Sequence, residues 1–340
     1  MSKTIIIAEA GVNHNGDILI AKKLIDAAAD AGADYVKFQT FVTEQLVDKS
    51  APKAEYQSNQ LGESISQFEM IKKLELSFDQ FDELKVYCDL KKIKFLTTVA
   101  DFVSLKEIDR HNLDFIKISS GEVTNHLFLS KVAKKLKPIV MSTGMCTLGE
   151  IEEAISILMD NGITKENITI LHCNTEYPTP FEDVNLYAMK SIANAFKIKT
   201  GYSDHTIGIE VPIAAVALGA TVIEKHFTLD RNMIGPDHIS SLEPNELKEM
   251  ICAIRNVESA ISGDGIKKPS ASEKKNIDIV RKSLFASRDI KMGKMFEESD
   301  FILKRPGDGV PVKDIYRIIG RFAAKDIKNG HKLNYNDILW

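Results

Sequence analysis

Eight short apolar runs, each trailed by a stretch long enough for a helix, punctuate the first three quarters of the chain. They are Thr4–Ala8, Tyr35–Thr40, Lys94–Val99, Phe115–Ser119, Pro138–Ser142, Ile168–Cys173, Ile198–Ser203 and Thr221–Phe227. Several are continuously apolar instead of alternating, the pattern of parallel strands buried on both faces. The intervening segments carry helical periodicity. Leu24, Ile25, Ala28 and Ala31 share one face of Ile20–Ala31, as do Ile151, Ala154, Ile155 and Leu158 of Leu148–Met159. Ala31-Gly32-Ala33, Asn161-Gly162 and Leu218-Gly219-Ala220 place glycine where each helix would turn back toward a strand. Eight such units predict a (β/α)8 barrel. A doubly wound sheet would want a glycine fingerprint after the first strand, and Glu9-Ala10-Gly11-Val12-Asn13-His14-Asn15-Gly16 does not match GxGxxG. Val42–Gln80, with Tyr56, Gln57, Gln67 and Glu69, is long for a strand-to-helix connection and reads as a lid or a helical elaboration.

The barrel is expected to occupy residues 1–265. A polar linker follows over 266–282, through Lys267-Lys268-Pro269-Ser270 and Glu273-Lys274-Lys275-Asn276. Residues 283–340 then form a small module. Asp289-Ile290-Lys291-Met292-Gly293 and Asp326-Ile327-Lys328-Asn329-Gly330 suggest an internal pseudo-repeat within it. Charge supports the division. From Arg281 onward 13 basic residues face 8 acidic ones, while the whole chain, with 44 against 48, carries a net charge of −4. So small a module has a marginal core and is expected to dock on something, a partner chain's barrel included. The mild acidity argues against nucleic acid as a partner. No apolar run is long enough for a transmembrane helix, and the N-terminus lacks the pattern of a secretory signal. Cys88, Cys146, Cys173 and Cys252 are scattered and form no CxxC, as in a cytoplasmic protein with reduced thiols.

In a barrel of this kind the C-terminal strand ends face the catalytic mouth. Every predicted strand here ends in chemistry: Glu9 and Asn13; Lys37 and Gln39; Thr97 and Thr98; Lys117, Ser119, Ser120 and Glu122; Ser142 and Thr143; His172, Asn174 and Tyr177; Ser203, Asp204 and His205; Glu224 and His226. One buried lysine is readily a structural ion pair, but polar groups on all eight strands are hard to assign to packing. Lys37, Lys117 and the nearby hydroxyls suit an anion with several oxygens, and Ser120-Gly121 and Thr143-Gly144 offer backbone N–H groups to it. His205 and His226, on adjacent strands, suit a divalent metal with open positions. Glu9 and Glu122 are candidate acid/base groups, and Asp237 sits just past the eighth strand.

At these residues the chain resembles the sialic acid synthase family, which includes bacterial N-acetylneuraminate synthases and N,N′-diacetyllegionaminate synthases. The matching stretches include Ile7–Gly16, Lys37-Phe38-Gln39-Thr40, Lys117-Ile118-Ser119-Ser120-Gly121-Glu122, Ser142-Thr143-Gly144-Met145, Tyr177-Pro178-Thr179-Pro180, Gly201-Tyr202-Ser203-Asp204-His205-Thr206, Glu224-Lys225-His226-Phe227, Gly235-Pro236-Asp237-His238 and Lys304-Arg305-Pro306-Gly307. The tail resembles that family's antifreeze-like (SAF) domain. The resemblance implies condensation of phosphoenolpyruvate with the open aldehyde of an N-acylated mannose-type sugar, giving a nine-carbon 2-keto acid and phosphate by C–O cleavage. N-acetylmannosamine is the sugar first expected, with 2,4-diacetamido-2,4,6-trideoxymannose as the alternative.

The same resemblance assigns roles. His205 and His226 would hold a divalent metal, commonly Mn2+, and Glu122 would assist the attacking water. Lys37, Thr98, Lys117, Ser119, Ser120, Gly121, Ser142 and Ser203 would hold phosphoenolpyruvate, with Tyr177 orienting it. Glu9 and Asp237 would grip sugar hydroxyls. Arg305 would reach the sugar's acyl group from the other subunit of a domain-swapped homodimer. One departure stands out: Thr97-Thr98-Val99-Ala100 replaces the family's Ser-Thr-Pro-Phe. Thr98 keeps its hydroxyl, but the proline that shapes the turn is gone. A Schiff-base aldolase using Lys37, Lys117 or Lys225, or a non-catalytic sugar-binding protein, are the competing expectations.

Overall fold

A computed structural model describes residues 3–54, 57–58 and 66–340. The chain divides into two compact units, Met1–Ser262 and Gly263–Trp340. In the first, eight parallel strands close into a barrel in chain order. They are β1 (Ile5–Gly11), β2 (Tyr35–Thr40), β3 (Lys94–Val99), β4 (Ile116–Ile118), β5 (Ile139–Ser142), β6 (Ile168–His172), β7 (Lys199–Asp204) and β8 (Val222–His226). The expected eight strands are all present. β1 runs three residues further than its apolar run, because Glu9 and Gly11 keep pairing with β2 after the apolar residues stop.

The helical faces follow the sequence periodicity. Ile18–Ala31 buries Ala21, Leu24, Ile25, Ala28 and Ala31; Leu148–Asp160 buries Ile151, Ala154, Ile155 and Leu158. Asp17 caps the first helix by accepting from Leu19 N–H, and Thr147 with Glu150 forms a capping box on the second. Gly32 ends the first helix in the left-handed region, φ 84°, where its N–H reaches the last carbonyls. Both sheet faces are dry: Ile6, Ile7, Val36, Phe38, Leu96 and Ile170 are fully buried. Each such side chain contributes about 1.5–3 kcal/mol of burial.

Val42–Gln80 carries two short helices, Thr43–Leu46 and Gln67–Leu74. They bring Leu46, Ile71 and Leu74 against Val12 and Phe41, a cluster separate from the main core. Tyr56, singled out in the sequence, lies outside the described residues. Among the described residues no helix is long and apolar enough to cross a membrane.

In the second unit, the stretch read as a linker carries two four-residue helices, Ala271–Lys274 and Ile277–Val280. Beyond it the pseudo-repeat takes physical form. Ile290 and Ile327 exchange both N–H···O bonds at 2.8 Å. Asp326 accepts from Met292 N–H at 2.9 Å, and Asp289 accepts from Asn329 N–H at 2.8 Å. Lys291 pairs with Asp326 and Lys328 with Asp289, each at 2.9 Å. The two halves thus grip each other through equivalent contacts around Leu284, Ile290, Phe296, Ile318, Ile327 and Leu333.

Candidate active site

Side chains alternate along a strand, so residues two apart share the barrel interior. On β1, β2, β7 and β8 this rule points Glu9, Lys37, Gln39, Ser203, Glu224 and His226 the same way. They line one cavity of about 160 Å³ at the C-terminal mouth, together with Thr98, Lys117, Ser119, Ser120, Ser142, Tyr177 and His205.

Its floor is an ionic lattice. Lys37 Nζ lies 2.6 Å from Glu9 and 3.5 Å from Glu224, and it donates to Thr98 Oγ1 at 2.8 Å. Lys117 Nζ lies 3.2 Å from Glu224 and donates to Ser142 Oγ at 2.8 Å. Ser203 completes the ring by donating to Glu224 at 3.0 Å. Burial works against every charge here, so their responses separate by partner. Burial pushes Glu9 up to about 7, and the neighbouring Glu224 adds to this against the pull of Lys37. Glu224 goes the other way, to about 2, since Lys117, Lys37 and the Ser203 hydroxyl together outweigh its burial. Burial depresses Lys117, whereas Glu224 and Glu9 overcome it at Lys37 and raise that ammonium. Two carboxyls so close and pushed so far apart are suited to different tasks.

The same cavity holds two imidazoles. Tyr177 stacks on His205 with ring centroids 4.0 Å apart and meets His226 edge-on at 5.6 Å; the two histidine rings are 5.5 Å apart. His205 Nδ1–H donates to the Asn174 carbonyl at 2.5 Å, which leaves Nε2 with its lone pair. His226 Nδ1 is buried with no partner. Desolvation holds His205 down at about 4 and His226 well below its ordinary value, so both imidazoles are neutral at neutral pH. These two donors fit a divalent metal with open positions. Among the described residues no group of three or more His, Cys, Asp or Glu gathers into a closed metal cage. Gly11 is needed here: φ is 53°, and a Cβ would lie 3.2 Å from Glu9 Oε1 and 3.3 Å from both Gln39 and His226.

Behind the imidazoles lies a pair that faces away from the cavity. Asp204 and Lys225 are register partners on β7 and β8, each next in sequence to one of the histidines. Their side chains meet at 2.5 Å, both fully buried. Lys225 also donates to the Thr206 carbonyl at 2.5 Å, and Asp204 accepts from Thr206 N–H at 3.1 Å. Lys225 is thereby occupied outside the cavity and is not placed to serve as a nucleophile in it.

Three sequence candidates stand apart. Glu122 is half-buried in the turn Ser120–Glu122 and accepts from Asn125 at 2.7 Å; it does not line the cavity, although burial raises its carboxyl too. Gly121 is exposed with open space around it. Arg305 belongs to the second unit, in the turn after the strand Phe301–Lys304, and is exposed. Asp237 is buried beside His226 in an adjoining cavity. Where the family's proline is missing, Asp101 holds the turn after β3: it caps Phe102–Glu107 through Ser104 N–H and accepts from Val42 N–H. Ala100 then forms cavity wall. Sequence reasoning placed Glu224 on the right strand but gave it no task. Its spacing of two from His226 was the available signal.

The profile of the NeuB family matches residues 24–267, and that of the SAF domain matches residues 281–339. The chain is 53% identical to the N,N′-diacetyllegionaminic acid synthase of Campylobacter jejuni, over 96% of this chain and 98% of that protein. It is 43% identical to the enzyme of the same name from Legionella pneumophila, over 98% and 94%. Among solved structures, an N-acetylneuraminic acid (sialic acid) synthetase from Leptospira borgpetersenii, in complex with citrate, superposes with a TM-score of 0.70 at 34% identity, covering 81% of this chain and 90% of that one.

Proposed function

Because the chain belongs to the NeuB family, we propose that it is a sialic acid-type synthase that condenses phosphoenolpyruvate with the open-chain aldehyde of an N-acylated mannose-type sugar. The single observation that carries this reading is the division of one cavity into two chemistries. Two buried ammonium groups and a set of hydroxyls share this cavity with two neutral imidazoles.

Phosphoenolpyruvate carries a phosphate and a carboxylate. Lys37, Lys117, Ser119, Ser120, Ser142, Ser203 and Thr98 form the wall that suits both. A lysine and a phosphate oxygen about 4 Å apart attract by roughly 4 kcal/mol at an effective dielectric near 20. The lysines arrive already neutralised by Glu9 and Glu224. As the phosphate draws Lys37 away, Glu9, poised near 7, is left as a carboxylate free to accept a proton. Glu224 keeps its charge and holds Lys117 and Ser203 in place.

His205 and His226 would hold a divalent metal, with Mn2+ a good match for imidazole donors and open positions; when bound, it supplies a Lewis acid for the sugar aldehyde. C3 of phosphoenolpyruvate forms the new bond to the aldehyde carbon, positive charge develops at C2, and water adds there. Collapse of the resulting intermediate breaks the C2–O bond and releases phosphate into the lysine wall. A carboxyl must take the proton from that water. Burial raises both Glu9 and Glu122, and Glu9 is the one the cavity contains. Tyr177 orients the reactants against the imidazoles. Asp237 would bind a sugar hydroxyl, and Arg305 of a second copy would cap the sugar's acyl group in a homodimer. We place the reaction in the cytoplasm.

The sequence alone favoured N-acetylmannosamine slightly. The names carried by the Campylobacter and Legionella relatives move the weight to 2,4-diacetamido-2,4,6-trideoxymannose. The test is phosphate release from phosphoenolpyruvate with Mn2+ and each sugar in turn. Turnover that a chelator abolishes and Mn2+ restores is expected. Release that survives the chelator would overturn the metal's part in the reading, and no release with either sugar together with a borohydride-trapped pyruvate adduct on a lysine would instead establish the aldolase.

A further inference from the structure

A second cavity, of about 230 Å³, opens beside the first and shares Gln39, Phe41, Leu46, Tyr177 and His226 with it. Its chemistry is different. No lysine or arginine lines it among the described residues, so it offers nothing to the phosphate. Among the described residues its one charged group is Asp237, 7% exposed, whose carboxylate has no hydrogen-bond or ionic partner among them. A buried carboxylate left without a donor is costly unless a ligand brings one. A further wall is contributed by Met70, Ile71 and Leu74, on the helix Gln67–Leu74, with Leu46 from the helix before it. That helix holds its place through a capping box, Ser66 with Glu69, and by packing Leu74 and Ile71 against Val12 and Phe41.

We infer that Leu46, Met70, Ile71 and Leu74 are the residues that select the sugar, admitting one with methyl or acyl groups at C4 and C6 and disfavouring one with hydroxyls there. The inference rests on the synthase reading above. The aldehyde end of the sugar must lie by His226, which both cavities share. The remaining carbons then extend into the second cavity, with a hydroxyl on Asp237 and the far end against the helix. A 6-hydroxyl pressed on Leu46, Met70, Ile71 and Leu74 gives up its water without a side-chain donor or acceptor from these four residues, whereas a 6-methyl gains contact; Gln39 and Gln57 also line the same cavity. An apolar pocket rejects an added hydroxyl by no more than about 100-fold, so the preference is expected within about 10- to 100-fold.

The test compares kcat/KM for 2,4-diacetamido-2,4,6-trideoxymannose and N-acetylmannosamine in the wild type, Met70→Gln, Leu46→Gln and the conservative Met70→Leu. The KM for phosphoenolpyruvate serves as the control for an intact first cavity. The expected result is a wild-type preference for the diacetamido sugar that shrinks at least about tenfold in each glutamine variant and survives in Met70→Leu. A ratio unmoved by either glutamine overturns the inference. So does a wild-type preference for N-acetylmannosamine, which needs no variant to fold; both outcomes leave the synthase standing. Phosphate release with neither sugar removes the synthase reading, and this inference with it.

Discussion

Lys225→Met is the sharpest probe of how the barrel holds its two imidazoles. The substitution keeps the length of the side chain and removes only the ammonium. Asp204 is then left fully buried with Thr206 as its remaining neighbour, and the Thr206 carbonyl loses its donor. Breaking a buried pair by deleting one partner costs about 3–5 kcal/mol, chiefly through the charge left behind. In a unit of this size each kcal/mol moves the melting temperature by about 2–4 °C, so Tm should fall by roughly 6–20 °C. The double variant Lys225→Met/Asp204→Asn removes the orphaned charge and keeps an acceptor for Thr206 N–H. It should recover at least half of the loss. Calorimetry on the metal-free protein measures stability, and Mn2+ titration followed by electron paramagnetic resonance measures the imidazole pair. The pair joins the residues next to both histidines, so Mn2+ affinity should weaken with stability in the single variant and return in the double. A single variant melting within about 2 °C of the wild type would refute the reasoning, as it would mean the ion pair contributes nothing that methionine packing does not.

Two further outcomes follow from the site. Burial raises Asp237 from an ordinary 3.8 to about 6. A carboxyl raised in the folded state makes its stabilising contribution below its unfolded value and loses it as pH climbs through the folded one. The two-unit shift corresponds to about 3 kcal/mol at most. Asp237→Asn should therefore match the wild type in stability at pH 3 and exceed it by up to that amount at pH 8, while sugar KM rises; urea titrations at the two pH values measure the difference. If Arg305 acts across a homodimer, His205→Ala and Arg305→Ala are each inactive or nearly so alone, yet mixing and refolding them together regenerates about a quarter of wild-type sites. Recovery of no activity on mixing would place Arg305 with its own chain's barrel, and full activity of Arg305→Ala alone would place it outside the site.

Much of this arrangement was legible before any coordinates. Parallel strands buried on both faces announce themselves as apolar runs, and the helices between them bury the faces their periodicity marks. What propensity could not supply was contact between distant strands. Glu224 looked like one more strand-end carboxylate until β7 and β8 set it between Lys117, Lys37 and Ser203. Asp204 and Lys225 look like ordinary charges in sequence, and only the register shows that they face each other in the dark side of the sheet. Glu122 was the opposite case. Its neighbours Ser119 and Ser120 reach the cavity, but the turn they begin rotates Glu122 outward to Asn125. The segment Val42–Gln80 had no periodicity long enough to read, because its described helices, Thr43–Leu46 and Gln67–Leu74, are short and held by a patch of barrel surface, the second also by a capping box.

The reciprocal grip inside the second unit has a consequence for how that unit can fail. Each half supplies the carboxylate and the carbonyls that terminate the other half's turn, so neither half has a finished structure to fall back on. Partial unfolding therefore has no resting place, and about sixty residues with a ten-residue core should melt in a single step. The same symmetry carries a hazard. A surface that recognises its own near-copy can recognise that copy in a neighbouring molecule, so crowded refolding is where halves would be exchanged between chains.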